Sequence, residues 1–260
     1  MRHSQGMPLP VHECTRYITA LREGGSVPAL VEGSDDGTYV MKLSGAAQGA
    51  KALVADLVGT ELARAVGLPA LDLVLLNLTH ALARMEGDPE IQGLLRKSVG
   101  LNLGVDWLPG SHAYDPAARR PVDDDLRTRV LWLDAWLGNV DRTARNTNML
   151  WWHGRLWLID HGAALTFHHD WQRLRHAPVP PFGRLRDHVW WTRVGALRAV
   201  HEAMAERIDE ALLHRVLALV PDAWLPAEQG LTTPAEHRQA YVDVLMARLA
   251  HMSVVVPELA

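Results

Sequence analysis

The sequence contains one cysteine, Cys14, in 260 residues, which excludes an internal disulfide and any cysteine-based zinc site. Lysine is nearly as scarce. It occurs only at Lys42, Lys51 and Lys97, while arginine supplies the other 23 of the 26 basic positions, so a lysine here is a marked choice rather than surface filler. No apolar run approaches the roughly 18 residues that a membrane helix needs, and the opening MRHSQGMPLP lacks the apolar stretch of a secretory signal. With the lone cysteine, this leads to the expectation of a cytoplasmic chain with no membrane partner. A net charge of -4 gives no basic excess for binding nucleic acid directly. Also missing are the G-x-x-x-x-G-K-[ST] loop of Walker-type ATPases, a G-x-G-x-x-G after a strand, and an H-E-x-x-H zinc helix.

What is present reads as globular, with 48% hydrophobic and 22% charged residues. PALVEGSDDGTYVMKL holds two extended apolar runs around Ser34–Gly37, a β-hairpin pattern in which Gly37 is expected to take the positive φ and the second strand, about Thr38 to Leu43, carries Lys42. Apolar residues at helical spacing fill Lys51 to Val66, before the stop signals Gly67 and Pro69. Leu71–Leu78 reads as a buried strand, His80–Leu95 as a weak helix, and Val99–Ser111 as a strand leaving through a Pro-Gly connector. Asp123–Leu137 is a stronger helix with acids in its first turn, and from about Asp187 the chain is largely helical. Strands gather early and helices late, which predicts α+β architecture in two lobes, residues 1–105 and 106–260.

The chemistry concentrates in GNVDRTARNTNMLWWHGRLWLID, from Gly138 to Asp160. His153-Gly154 is a good two-residue turn between aromatic runs, and the resulting register sets Trp152 opposite Arg155 and Thr147 opposite Asp160. The open end of that ladder should bring Asn146 beside Asp160, with Asp141 presented to the same end. Few protein oxygens and an open remainder suit Mg²⁺. The five-residue step from Asp141 to Asn146, followed by an acid at strand distance, matches the Asp, Asn and metal-binding Asp of a kinase catalytic loop. A cluster of ordinary turn residues would use the same residue types.

Other candidates follow from the same frame. Lys42 alternates with Met41 and Leu43, so it points to the face opposite theirs, where an ammonium can reach phosphate oxygens. Glu61 in the following helix is the first choice for its carboxylate partner, with Asp56 as the alternative. Gly24, Gly25 and Ser26, in EGGSVP, can present backbone N–H groups to phosphate or make an ordinary turn. In a kinase, Leu103–Trp107 would be the hinge whose backbone pairs with adenine. His161, His168 and His169 with Asp160 and Asp170 offer imidazoles and carboxylates to a zinc ion, although adjacent histidines do not place both rings on one metal.

The catalytic-loop pattern GNVDRTARNTNML…LWLIDHGAAL resembles that of the HipA-like kinases and, more distantly, the phosphatidylinositol kinases. LREGGSVPALVEG, TYVMKL, GAKALVADLVGTELARAVGLP and GLNLGVDWLPGS resemble the N-lobe of the short HipA-like group. The resemblance implies a bilobal protein-kinase-like fold with a small β-rich N-lobe and a mostly helical C-lobe, using ATP and Mg²⁺. It implies Asp141 as catalytic acid-base, Asn146 and Asp160 as metal ligands, and Lys42 with Gly24, Gly25, Ser26 and Glu61 on the ATP side. The acceptor it implies is a serine or threonine of a protein, and larger relatives add an antitoxin-like partner and an N-terminal subdomain that 260 residues are expected to be too few to hold. The same constellation also serves kinases of small molecules or lipid headgroups, and a pseudokinase would keep the nucleotide without turnover. Thr143 stands where lipid-kinase loops carry histidine, and Asp160-His161-Gly162 stands in place of Asp-Phe-Gly.

Overall fold

In a computed structural model of the chain, residues 8–21, 27–47, 49–118, 120–174, 181–191 and 197–256 are described. Five strands, β1 (Val11–Ala20), β2 (Ala29–Gly33), β3 (Thr38–Lys42), β4 (Leu73–Leu78) and β5 (Gly100–Asp106), close into a barrel in the order β1-β2-β3-β5-β4. All neighbours pair antiparallel except β1 with β4. The expected hairpin is β2 and β3, with Ala29 opposite Met41 and Glu32 opposite Thr38. Its positive φ falls on Asp36 (61°), not on Gly37. Gly37 is needed for another reason: a Cβ there would lie 2.4 Å from the Tyr39 hydroxyl.

Alternation along the strands sorts side chains to two cores. Inside the barrel lie Val31, Met41, Val74 and Leu76, closed off by Leu82 of α2 (His80–Ala83) and by Ile91 and Leu95 of α3 (Pro89–Lys97). The single helix expected over 80–95 is therefore two. Asp88 caps the second through the Glu90 N–H (2.9 Å), and Pro89 occupies its first turn.

Outside the barrel, Leu73, Leu75 and Leu103 pack against α1 (Gly49–Ala65) as part of the larger core. That core continues without a break into α4 (Asp124–Leu137), whose Trp132 and Trp136 are fully buried. It also takes in α5 (Trp171–Leu174), α6 (Leu197–Ala205), α7 (Glu210–Leu217), α8 (Pro234–Ala250) and α9 (Met252–Val255). The run AMAERIDEALLHRVLALV is divided between α6 and α7, with Asp209 accepting the Leu212 N–H (2.6 Å) to start the second. A second sheet, in the order β6-β7-β8, is formed by β6 (His112–Ala113), β7 (Met149–Trp152) and β8 (Arg155–Leu158).

Candidate functional site

Helix α4 ends at Gly138, whose φ of 68° supplies the left-handed cap. Arg248 of α8 seals that end by donating to the carbonyls of Ala135 (2.9 Å) and Trp136 (2.6 Å). Burial without a carboxylate lowers the Arg248 pKa to about 10. The chain then turns through Asn139, Val140 and Asp141 into the hairpin.

The hairpin register is the one the sequence implies, with Trp152 opposite Arg155 and Met149 opposite Leu158. His153 and Gly154 take φ of 46° and 75°, as a two-residue type I′ turn requires. At the open end, Asn148 (φ 48°) and Asp160 (φ 54°) both leave the extended region. Non-glycine residues held there carry strain of about 1–3 kcal/mol and cluster at functional sites. Asn148 is the tie. Its carbonyl accepts the Ile159 N–H (3.0 Å), and its Nδ2 donates to Asp141 Oδ2 (3.2 Å). The hairpin therefore links the strand that delivers Asp160 to the loop that carries Asp141. Asn146 Nδ2 also donates to Asp141 Oδ2 (2.7 Å). No hydrogen bond among the described residues joins Asn146 to Asp160. Thr143 closes the intervening turn: its Oγ1 accepts the Asn146 N–H (3.2 Å) while its own N–H faces the Asn146 carbonyl (2.9 Å).

Lys42, at the end of β3, reaches across to this region. Its Nζ lies 2.6 Å from Asp160 Oδ1 and 2.6 Å from Asp56 Oδ2. Burial would lower the ammonium pKa, but the two carboxylates outweigh it and raise the value above normal. Lys42 in turn holds Asp160 below the usual carboxylate range.

The partner expected for Lys42 was Glu61, and the structure corrects this to Asp56. Glu61 pairs instead with Arg64 (3.4 Å). The reason is helical phase: Asp56, Gly59 and Thr60 form one i, i+3, i+4 stripe facing the Asp160 loop, and Glu61 lies off it. Asp56 Oδ1 accepts the His161 N–H (2.7 Å), and Thr60 Oγ1 lies 3.2 Å from His161 Nδ1. A Cβ on Gly59 would come within 2.6 Å of His161 Cβ, so glycine sets the close approach of α1. Burial, reinforced by the Arg142 charge, pushes the His161 pKa down to about 4 and keeps the ring neutral.

Beneath the loop lies a polar network that sequence reasoning missed. Asp134 of α4 has no solvent exposure. Its Oδ2 accepts Arg142 Nε (2.6 Å) and lies 3.1 Å from His188 Nε2, while its Oδ1 accepts Asn139 Nδ2 (2.8 Å). Burial would raise the Asp134 pKa, but Arg142 and His188 hold it well below the usual range. Arg142, 1% exposed, also donates through Nη1 to the Asn148 carbonyl. An acid inside the otherwise apolar run LWLDAWL was the available signal.

The remaining expectations divide. Gly24, Gly25 and Ser26 lie outside the described residues. The backbone of Leu103–Trp107, expected to pair with adenine, is engaged in the barrel: Leu103, Gly104 and Val105 pair with β3 and β4, Asp106 pairs with Tyr39, and the Trp107 N–H donates to Thr38 O (3.1 Å). No three His, Cys, Asp or Glu side chains converge as a metal cluster among the described residues, which leaves the histidine-rich zinc arrangement without support. His168 instead meets the Tyr241 hydroxyl (2.9 Å). Lys51 bonds to the His168 carbonyl (2.6 Å) and pairs with Glu228 (2.8 Å), so two of the three lysines span from the first third of the chain to later segments.

The donor set suits a hard divalent cation. The Asp160 side chain is 41% exposed, and only its Oδ1 is occupied by protein donors among the described residues. Asn146 uses its Nδ2 on Asp141, and its Oδ1 has no protein donor among the described residues. Carboxylate and amide oxygens with open positions are what Mg²⁺ takes alongside phosphate.

A family model described as HipA-like kinase matches residues 15–253. No curated protein matches the chain. Among solved structures, the crystal structure of the Helicobacter pylori proinflammatory kinase CtkA is similar at 10% identity and a TM-score of 0.57, covering 95% of this chain and 100% of that one. The crystal structure of the Golgi casein kinase covers 96% of this chain and 75% of that one, at 12% identity and a TM-score of 0.45.

Proposed function

Because the chain belongs to the HipA-like kinase family, we propose that it is a bilobal, Mg²⁺-dependent kinase that moves the γ-phosphoryl group of ATP to a serine or threonine hydroxyl of a protein. The observation that carries this reading is the position of Lys42, whose ammonium bridges Asp56 and Asp160 at 2.6 Å each. The hairpin that delivers Asp160 is also the one bonded through Asn148 to Asp141. These contacts support reading Lys42 as the phosphate-binding cation, Asp160 as the metal-binding carboxylate and Asp141 as the proton-accepting one. When bound, Mg²⁺–ATP supplies the transferable group and neutralises charge on the phosphates.

The residues divide the remaining work. Asp160 and Asn146 would hold the ion through side-chain oxygens. Lys42, oriented by Asp56, would fix the phosphates. Asp141 would align the acceptor hydroxyl and take its proton, held in place by amide groups of Asn146 and Asn148 that leave its second oxygen free of protein donors among the described residues.

Incubating the purified chain with radiolabelled ATP, Mg²⁺ and a protein extract tests the proposal. Label on serine or threonine of an extract protein or of the chain itself supports it. Label on a lipid or small molecule would change the acceptor class, and MgATP binding without transfer would make the chain a pseudokinase.

A narrower expectation concerns the lysine partner. Asp56→Asn should weaken MgATP roughly tenfold, the loss corresponding to about 1.4 kcal/mol, whereas Glu61→Gln should stay within about twofold. Calorimetric titration decides this. A larger effect at Glu61 would reverse the assignment.

A further inference from the structure

We propose that His188 is a positioning residue for phosphoryl transfer, which fixes the Asp141 loop through Asp134 and Arg142 from a segment far along the chain. This rests on the kinase reading above. His188 is 6% exposed, and both ring nitrogens are committed. Its Nδ1 accepts the Trp190 N–H (3.0 Å), so Nε2 carries the proton and donates it to Asp134 Oδ2 (3.1 Å). That same oxygen takes Arg142 Nε at 2.6 Å.

The main chain repeats the contact. The Val189 N–H donates to the Arg142 carbonyl (3.0 Å), and Thr143 pairs with His188 as an isolated antiparallel bridge. The two residues that follow Asp141 are thus gripped by His188 and its neighbour. On the other side, Asn139 donates to Asp134 (2.8 Å) and accepts the Asp141 N–H (3.1 Å). Asp141 is bracketed by groups that all refer to the Asp134 carboxylate.

The segment carrying His188 is itself fixed. Trp190 donates through Nε1 to the Tyr114 hydroxyl (3.2 Å), with the two rings edge-on at 5.7 Å. The Tyr114 carbonyl in turn accepts the Thr147 hydroxyl (2.9 Å), which returns the circuit to the loop. None of these contacts involves Lys42, Asp56 or Asp160. His188 therefore orders the Asp141 loop directly and reaches Asn146 and the Asp160 strand only through that loop and Arg142. At Thr143 the loop supplies no imidazole of its own, and His188 brings one to its underside.

Two near-isosteric variants separate the ring nitrogens. His188→Asn keeps an acceptor near Nδ1 and loses the donor to Asp134, whereas His188→Gln keeps a donor near Nε2. In the full chain, His188→Asn should lower kcat by about 10- to 100-fold, the range a misplaced catalytic group produces, with a smaller rise in KM for MgATP transmitted through Asn146. His188→Gln should recover most of that loss. Amide hydrogen exchange across residues 139–148 should quicken in His188→Asn and not in His188→Gln, with α1 and β3 unchanged; this readout needs no turnover.

Unchanged loop exchange in His188→Asn would overturn the proposal. So would an unchanged kcat, a rise in KM with no fall in kcat, or a Gln variant as impaired as the Asn variant. If the wild-type chain transfers no phosphate, the kinase reading fails, and the exchange comparison still decides whether His188 holds the loop.

Discussion

Asp141→Asn is expected to cut phosphoryl transfer by roughly 10²- to 10⁴-fold, the usual contribution of a positioned general base, while MgATP affinity stays within about twofold. The substitution keeps the side chain's size and one carbonyl oxygen. That oxygen can still accept from Asn146 and Asn148, which now donate to Oδ2 at 2.7 and 3.2 Å. The loop should therefore keep its shape, and what disappears is the group able to take a proton. Initial rates of label transfer, with calorimetric titration of nucleotide on the same preparation, separate the two quantities. Full activity in the variant would remove Asp141 from the chemistry, and a parallel loss of affinity would show that it acts through the metal.

The largest effect on stability is expected at Asp134. Asp134→Leu would leave Arg142, 1% exposed, without its carboxylate, and His188 and Asn139 without their shared acceptor. Removing one partner of a buried pair costs about 3–5 kcal/mol, because the remaining charge stays desolvated. For a domain of this size that is roughly 10 °C in Tm. The double variant Asp134→Leu with Arg142→Met should recover part of the loss, since no orphaned charge remains. Thermal unfolding of the single and double variants checks this. Additive losses would mean that the pair is not coupled and that the loop is held by its main-chain bonds.

The hairpin was legible because its signals are local. A two-residue turn at His153-Gly154 fixes the register, and the register fixes where Asn148 and Asp160 fall. Lys42 was legible through strand alternation against Met41 and Leu43. The choice between Asp56 and Glu61 was not, since it depends on how closely α1 approaches the Asp160 loop, and Gly59 sets that distance only once His161 is packed against it. β1 was missed because its burial is largely one-sided and irregular: Cys14 is its only fully buried residue, and charges and hydroxyls interrupt VHECTRYITA. The Asp134–Arg142–His188 network joins residues from a helix, a loop and a distant segment, so spacing along the chain carried no trace of it. Even so, an aspartate between Leu133 and Ala135 on a buried helix is a polar group in need of a partner.

Calorimetric titration of ATP into the wild-type chain and into Asp160→Asn, each with and without Mg²⁺, tests the central claim most directly. The expected result is saturable, metal-dependent binding at one site in the wild type, and loss of the metal dependence, with at least a tenfold weaker affinity, in Asp160→Asn. Equal, metal-independent binding by both proteins, or none by either, would contradict the joining of Lys42, Asp160 and Asp141 into one nucleotide site.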